Sequence, residues 1–396
     1  MQAKLNRNIR ILILVNFLYA LGVYITLPVL ALHFNLDVGL SFIQVGILLG
    51  TPPIISACLG FMGSFISQRT GMINSLMMGL FLLIVPYFCY VYVKSFVVLF
   101  LVCLLQGFSR VFWEPVMKYL FVSHAREADC QNIIFRIKYC AICLSAIVGP
   151  LFAGLLSTQG KVNCLWASIM VFVLLLIGIS MNKSGLDRCG EQCAQERIRK
   201  FKDVKECDRQ LLYYILANTL VFFVFAQFET VFSLALREFS DNPERLFTGL
   251  LLLNAIGGIV LQFGFLCIGG KVKTLHYILL GNLAFAVSFL LFACSRGEIF
   301  YLVAATVIFT MGEVVVIPGV DMIIDETAPE NKKTLYFGLA EFRLLGFSLG
   351  PVIASMILEF FGSTIMFLSS TVVSLLAGIL YCWPHFQKKR LAQAEC

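Results

Sequence analysis

The chain alternates long apolar stretches with short polar turns, and the stretches have one recurring length. A helix rises about 1.5 Å per residue and a bilayer's hydrocarbon core is about 30 Å thick, so a crossing needs about 20 apolar residues. By that ruler spans fall at residues 11–32, 43–66, 73–93, 96–122, 133–156 and 163–181. A polar stretch follows, with fourteen charged residues in 181–210, and then spans at 211–235, 246–268, 275–294, 299–324, 335–358 and 365–383. The pattern predicts an all-α membrane protein of twelve transmembrane helices. Its parts are an N-terminal six-helix bundle (1–181), a charged cytoplasmic linker (182–210), a C-terminal six-helix bundle (211–384) and a cytoplasmic tail (385–396).

Composition agrees: 59% of residues are hydrophobic and 13% charged, too few charges to cover a soluble protein of this size. The first apolar run exceeds a signal-peptide core and lacks a small-residue cleavage site, so a retained span is expected. With both termini inside, twenty Lys or Arg fall on the cytoplasmic side against five outside, namely Lys94, Lys161, Arg237, Arg245 and Arg296. That is the sidedness the positive-inside rule requires. It also accounts for the net charge of +7 without a nucleic-acid partner.

The halves carry a repeated signal. Pro115 precedes Gly149-Pro150 much as Pro318 precedes Gly350-Pro351, with a charged turn between in each case. Parallel six-helix repeats are the plan of transporters whose halves rock about a midplane site.

In the fifth span, Ser145-Ala-Ile-Val-Gly149-Pro150-Leu-Phe-Ala153-Gly154 resembles the G-x-x-x-G-P-x-x-G-G antiporter motif of drug:proton exporters in the major facilitator superfamily. Small residues and proline allow close helix contact and a backbone bend. Gly346, Gly350, Pro351 and Ala354 repeat the pattern in the eleventh span, and Leu21-Gly22 with Pro28-Val29 resembles the first-span signature of the same twelve-span branch. Two positions depart from it. Gln68-Arg69-Thr70-Gly71 lacks the acid of the Asp-Arg-x-Gly loop, and Cys103 stands where relatives place an arginine before Gln106-Gly107.

The resemblance implies alternating access driven by protons, and hence a carboxylate inside the bilayer. An ionisable group at a helix centre costs about 2.5–3.5 kcal/mol on insertion scales, so such groups mark function or a specific pairing. Glu313 leads, since no base lies within a turn of it; a hydrogen bond between helices is its alternative role. Glu114 follows, one turn from Arg110, with which it is placed to pair. Glu229 is third, near an outer interface where it can simply be solvated. Arg343, Glu341 and Arg69 are candidates for charge pairing or gating. Tyr24, Asn16, Phe225, Gln227 and Asn254 are cavity candidates, against the alternative that aromatics face lipid or neighbouring helices.

Enzyme readings find little support. The four histidines, His33, His124, His276 and His385, lie at or beyond span ends without metal-ligand spacing, and no phosphate-binding loop exists. Of fourteen cysteines most lie in spans as small apolar residues, including Cys140 and Cys143; Cys189, Cys193 and Cys207 fall in the linker. No metal and no cofactor are expected. The expected partners are a small-molecule substrate, protons and the lipid bilayer, with a monomeric protein in a bacterial inner membrane. Export of a drug-like or siderophore-like amphiphile by proton antiport is the leading function. Proton-coupled uptake of a nutrient or metal chelate is the alternative, and a non-transporting receptor or scaffold a remote third.

Overall fold

The computed structural model describes residues 7–127, 131–157, 160–183, 209–268, 274–327, 336 and 339–394. Within these, the side chains of 60–65, 68–69, 115, 118–119, 122–127, 131–140, 209, 263–268, 325 and 385–394 lie outside the description. The linker cysteines therefore fall outside it, as do the Cys140, Arg69, His124 and His385 side chains.

The first unit, within Met1–Arg199, contains α1 (Arg7–Leu32), α2 (Phe42–Thr70), α3 (Met72–Tyr92), α4 (Phe96–Glu127), α5 (Gln131–Ser157) and α6 (Lys161–Met181). The second, within Lys200–Cys396, contains α7 (Arg209–Thr230), α8 (Pro243–Ile268), α9 (Thr274–Cys294), α10 (Ile299–Thr327) and a run from Arg343 to Ala394. That run is interrupted at Gly362, whose φ of 79° and ψ of 173° are not helical; residues 343–361 form α11 and 363–394 form α12.

Among the described residues, ten continuous segments are long and apolar enough to cross a membrane. One of them, Arg343–Pro384 with 42 residues, is α11 and α12 joined at the kink, and α5 contributes the shorter apolar stretch Ala141–Ser157. The twelve-span pattern is present. Large apolar side chains stand open on the outside of both units, among them Phe81 at 59%, Leu155 at 71% and Phe300 at 74% exposure. Such surfaces are stable against hydrocarbon and not against water.

Helix ends follow local chemistry. Ser41 caps α2: its hydroxyl accepts the Gln44 amide while the Gln44 side chain accepts the Ser41 amide. Gly71, at φ 89°, turns the chain directly from α2 into α3, a conformation open to glycine and strained for other residues. Two span boundaries differ from expectation. The seventh apolar stretch is broken at Val231: α7 stops at Thr230 and a separate one-turn helix, Phe232–Ala235, follows. Phe232, Leu234, Ala235 and Leu236 are fully buried there, so apolarity reflects packing under the bundle's end rather than a longer span. In the eleventh, residues 336, 339 and 340 are helical, a turn follows at 341–342, and the long helix begins at Arg343. At its far end the Glu238 carboxylate accepts the Ser363 amide at 3.1 Å and the Ser363 hydroxyl. This caps α12 and makes the break a tight kink instead of an open loop.

The two units repeat the same helix pairings: α1 with α5 and α6, α2 with α4, and α3 with α4 and α6, matched by α7 with α11 and α12, α8 with α10, and α9 with α10 and α12. The closest approaches are also counterparts. Ser145 of α5 donates to the Phe17 carbonyl of α1 at 2.9 Å, while Gly346 of α11 lies so close to α7 that a Cβ would overlap the Thr219 carbonyl oxygen. A Cβ on Gly149 would stand 2.6 Å from Tyr24, and one on Gly350 2.6 Å from the Phe223 carbonyl oxygen. Ser109 of α4 donates to the Gly79 carbonyl of α3 at 2.7 Å, and Gly312 of α10 rests on Gly281 of α9. Helices without a hydrophobic drive to associate meet through small residues and interhelical hydrogen bonds of this kind.

Replacing Gly346 by valine must therefore separate α7 from α11. Overpacking of this sort costs about 1–3 kcal/mol, so Gly346→Val in detergent should lower the apparent Tm by several degrees. Gly249→Ala, with open space at the Cβ position, should leave it unchanged or raised. Equal melting of the two variants would contradict the close-packing account.

Candidate functional site

Glu313 sits on α10 one turn beyond Phe309 and next to Gly312. Gly312 lets α10 lie against α9, while the glycine pair Gly257 and Gly258 brings α8 up to Thr310. This close approach delivers Asn254 of α8 to the acid. The Asn254 amide donates to Glu313 Oε2 at 2.6 Å and to Thr310 Oγ1 at 3.0 Å. Thr310 in turn donates to the Thr306 carbonyl. Glu313 is half-buried and makes no ion pair among the described residues. Two sequence candidates on different helices, Glu313 and Asn254, thus form one polar unit inside an apolar bundle. A carboxylate with a neutral donor and no fixed counter-charge can gain or lose a proton without breaking a salt bridge.

A second cluster lies toward the other end of α10. Arg343, at the start of α11, donates to Asp321 of α10 at 2.5 Å and to Glu341 at 3.2 Å. Its guanidinium lies over the Phe222 ring of α7, 5.0 Å from the centroid. The side chain is 14% exposed, Asp321 54%. The arginine thus ties α7, α10 and α11 together where the acids reach solvent, a fixed fork suited to two acceptors and a ring face. Asp321 was not a sequence candidate: it lies three residues past Pro318 near a span end, and only the fold puts it beside Arg343.

In the first unit the expected Arg110 and Glu114 pair is not formed; among the described residues no ion pair joins them. Both are half-buried and lie beside the Tyr19 phenol of α1, whose ring stacks on Trp113 at 4.2 Å. Helical spacing brings the two onto one face, but α1 supplies a neighbour to both. By the pairing of Ser109 with Gly312, Arg110 and Glu313 occupy counterpart positions of α4 and α10. The repeat thus puts a base in one unit where the other has an acid.

The remaining candidates spread out. Tyr24 packs on Gly149. Asn16 is 7% exposed and its amide nitrogen has no partner among the described residues. Gln227 faces α12, accepting from Ser370 at 2.6 Å, so it belongs to a helix interface and not to an opening. Phe225 is half-buried and stacks on Phe309 with centroids 6.2 Å apart. Most other phenylalanines of this unit pack on one another, as Phe228 does on Phe309 at 4.2 Å. Glu229 lies in the last turn of α7. Pro28, Pro150 and Pro351 are buried within α1, α5 and α11, and Gly154 follows on α5.

Comparison with known proteins places these observations in a family. The family model described as Major Facilitator Superfamily matches residues 12–342. The uncharacterized MFS-type transporter YqjV of Bacillus subtilis is 23% identical over 342 residues, covering 85% of this chain and 83% of its own. The multidrug resistance protein MdtH of Photorhabdus laumondii is 23% identical over 340 residues, covering 85% and 82%. Among solved structures, a POT family transporter in complex with a thioalcohol conjugated peptide superposes with a TM-score of 0.80 at 15% identity, over 96% of both chains. With a family match across most of its length and the same fold from end to end, the chain belongs to the Major Facilitator Superfamily.

Proposed function

We propose that this transporter exports a small organic or amphiphilic compound from a bacterial cytoplasm in exchange for protons, with both termini on the cytoplasmic side. The observation that carries the proposal is the Glu313 and Asn254 contact, 2.6 Å long, in the middle of α10 and free of any basic partner among the described residues. In a low-dielectric surrounding the charged and neutral forms of such a carboxylate differ by several kcal/mol in their preference for water. Protonation can therefore bias which conformation is stable, and conformation in turn decides which side the proton leaves from.

Half-buried Phe225 lies on the same unit, against the buried Phe309 and half-buried Phe347, and half-buried Phe222 lies under Arg343. Aromatic faces on the unit that carries Glu313 suit lipophilic substrates, cations included. The multidrug designation of one relative is consistent with this class. Proton-coupled uptake is the second reading, favoured by the altered antiporter motif, in which Ser145 and Ala153 replace glycines.

In proteoliposomes, Glu313→Gln should abolish solute movement driven by a pH gradient while leaving equilibrium exchange of solute intact. Asn254→Ala, which removes a hydrogen bond to a charged group worth about 1.5–3 kcal/mol, should reduce the driven rate without abolishing it. Normal driven transport by Glu313→Gln would assign Glu313 a structural role and move attention to Glu114. For orientation, a green fluorescent protein fused after Cys396 should fluoresce and a periplasmic phosphatase fused there should be inactive. The reverse pair of results would invert the topology.

A further inference from the structure

The end of α1 continues into a π-helical turn, His33–Asp37. Such turns are rare and concentrate at functional sites. Here it packs a histidine inside the first unit: His33 is 4% exposed. Its Nδ1 lies 2.9 Å from Asp37 Oδ2 and its Nε2 lies 3.0 Å from the main-chain carbonyl oxygen of Tyr90 on α3. Asp37 engages its other oxygen, Oδ1, with the Lys161 ammonium of α6 at 3.2 Å.

The donor count is decisive. A main-chain carbonyl only accepts, and a carboxylate that also accepts from an ammonium acts as an acceptor on both oxygens. Both contacts are hydrogen bonds at once only if both ring nitrogens donate, and only the imidazolium has two N–H groups. A neutral ring would turn a lone pair toward one of the two oxygens and lose that bond. We propose that His33 is a second proton-binding site, separate from Glu313, in which the bound proton bridges the outer end of α1 to α3 directly and to α6 through Asp37.

The surrounding charges define how the site responds. Among the described residues, Asp37 on the same turn is the carboxylate in contact, and Lys161 on α6 is the cation that opposes the proton. From α3, Tyr90 presents its carbonyl to His33, while its phenol donates to Gln106 Oε1 at 2.7 Å. Residues 41–50, which open α2, carry no charge. Lys94, in the turn before α4, is exposed and forms no ion pair among the described residues. The bridge is complete with the proton bound and loses one of its two hydrogen bonds when the proton leaves, so it tightens as pH falls. Placed on the outer side, it responds to the medium; that placement rests on the orientation proposed above, whereas proton binding itself does not.

The test uses the full chain, labelled with ¹⁵N-histidine and purified in detergent, where both faces share one pH and sidedness has no influence. The His33 ring, identified by its loss in His33→Gln, should report two protonated nitrogens at pH 6. If that variant does not fold, replacing His124, His276 and His385 leaves His33 as the sole labelled ring. Asp37→Asn should move the His33 midpoint down and Lys161→Gln should move it up. Amide exchange in residues 33–40, corrected for its intrinsic pH dependence, should quicken above the midpoint. A neutral ring at pH 6, an unmoved midpoint in Asp37→Asn, or exchange indifferent to the proton would each overturn the proposal. Failure of the reporter fusions would instead correct only the side the site faces.

Discussion

Everything in this structure depends on how closely two helix backbones can approach inside lipid. Lipid tails are as apolar as leucine, so helices gain little by hiding from them, and the contacts must come from packing and hydrogen bonds between backbones and small side chains. Gly346 and Gly350 against α7, Gly149 against α1, and Gly281 against Gly312 are where that approach is tightest. Ser145 and Ser109 achieve the same closeness by donating to the neighbouring helix's carbonyl. Once these contacts are made, the position of each polar group is decided. Gly257 and Gly258 bring α8 to α10, and Asn254 consequently lands on Glu313.

The repeat explains why the two units share a skeleton and differ in chemistry. Counterpart contacts keep the same helix pairs at the same points, while the ionisable residues between those contacts differ. Arg110 in α4 and Glu313 in α10 are the clearest case. Each costs several kcal/mol to hold inside the bilayer unless something compensates, and the compensation differs: an amide donor for Glu313, and for Arg110 a neighbouring phenol with an acid one turn away.

Much of the architecture was legible in the sequence because lipid imposes a length on every apolar run. The run through residues 211–235 was misread where it should be expected to fail: apolar residues that pack beneath the end of a bundle carry the same signal as residues that face lipid. The Gly149 and Gly350 motifs were visible as patterns of small residues, and their structural meaning as helix contacts followed. Ion pairing was less legible. Arg110 and Glu114 satisfy the one-turn rule and do not pair, while Arg343 finds Asp321 on another helix. His33 looked unremarkable at a span end, because a π-turn and the Tyr90 carbonyl that define it leave no trace in residue spacing.

In the proposed function, solute leaves the cytoplasm as protons enter. It is tested most directly in inverted membrane vesicles energised to be acid inside, with the gradient followed by quenching of an acridine-type pH dye. A panel of lipophilic cations and metal chelators is then added one compound at a time. The account predicts that at least one compound dissipates the gradient and restores fluorescence in vesicles carrying the wild-type chain, and not in vesicles carrying Glu313→Gln. Silence across the panel with the protein present, or equal dequenching by the Glu313→Gln vesicles, would contradict it.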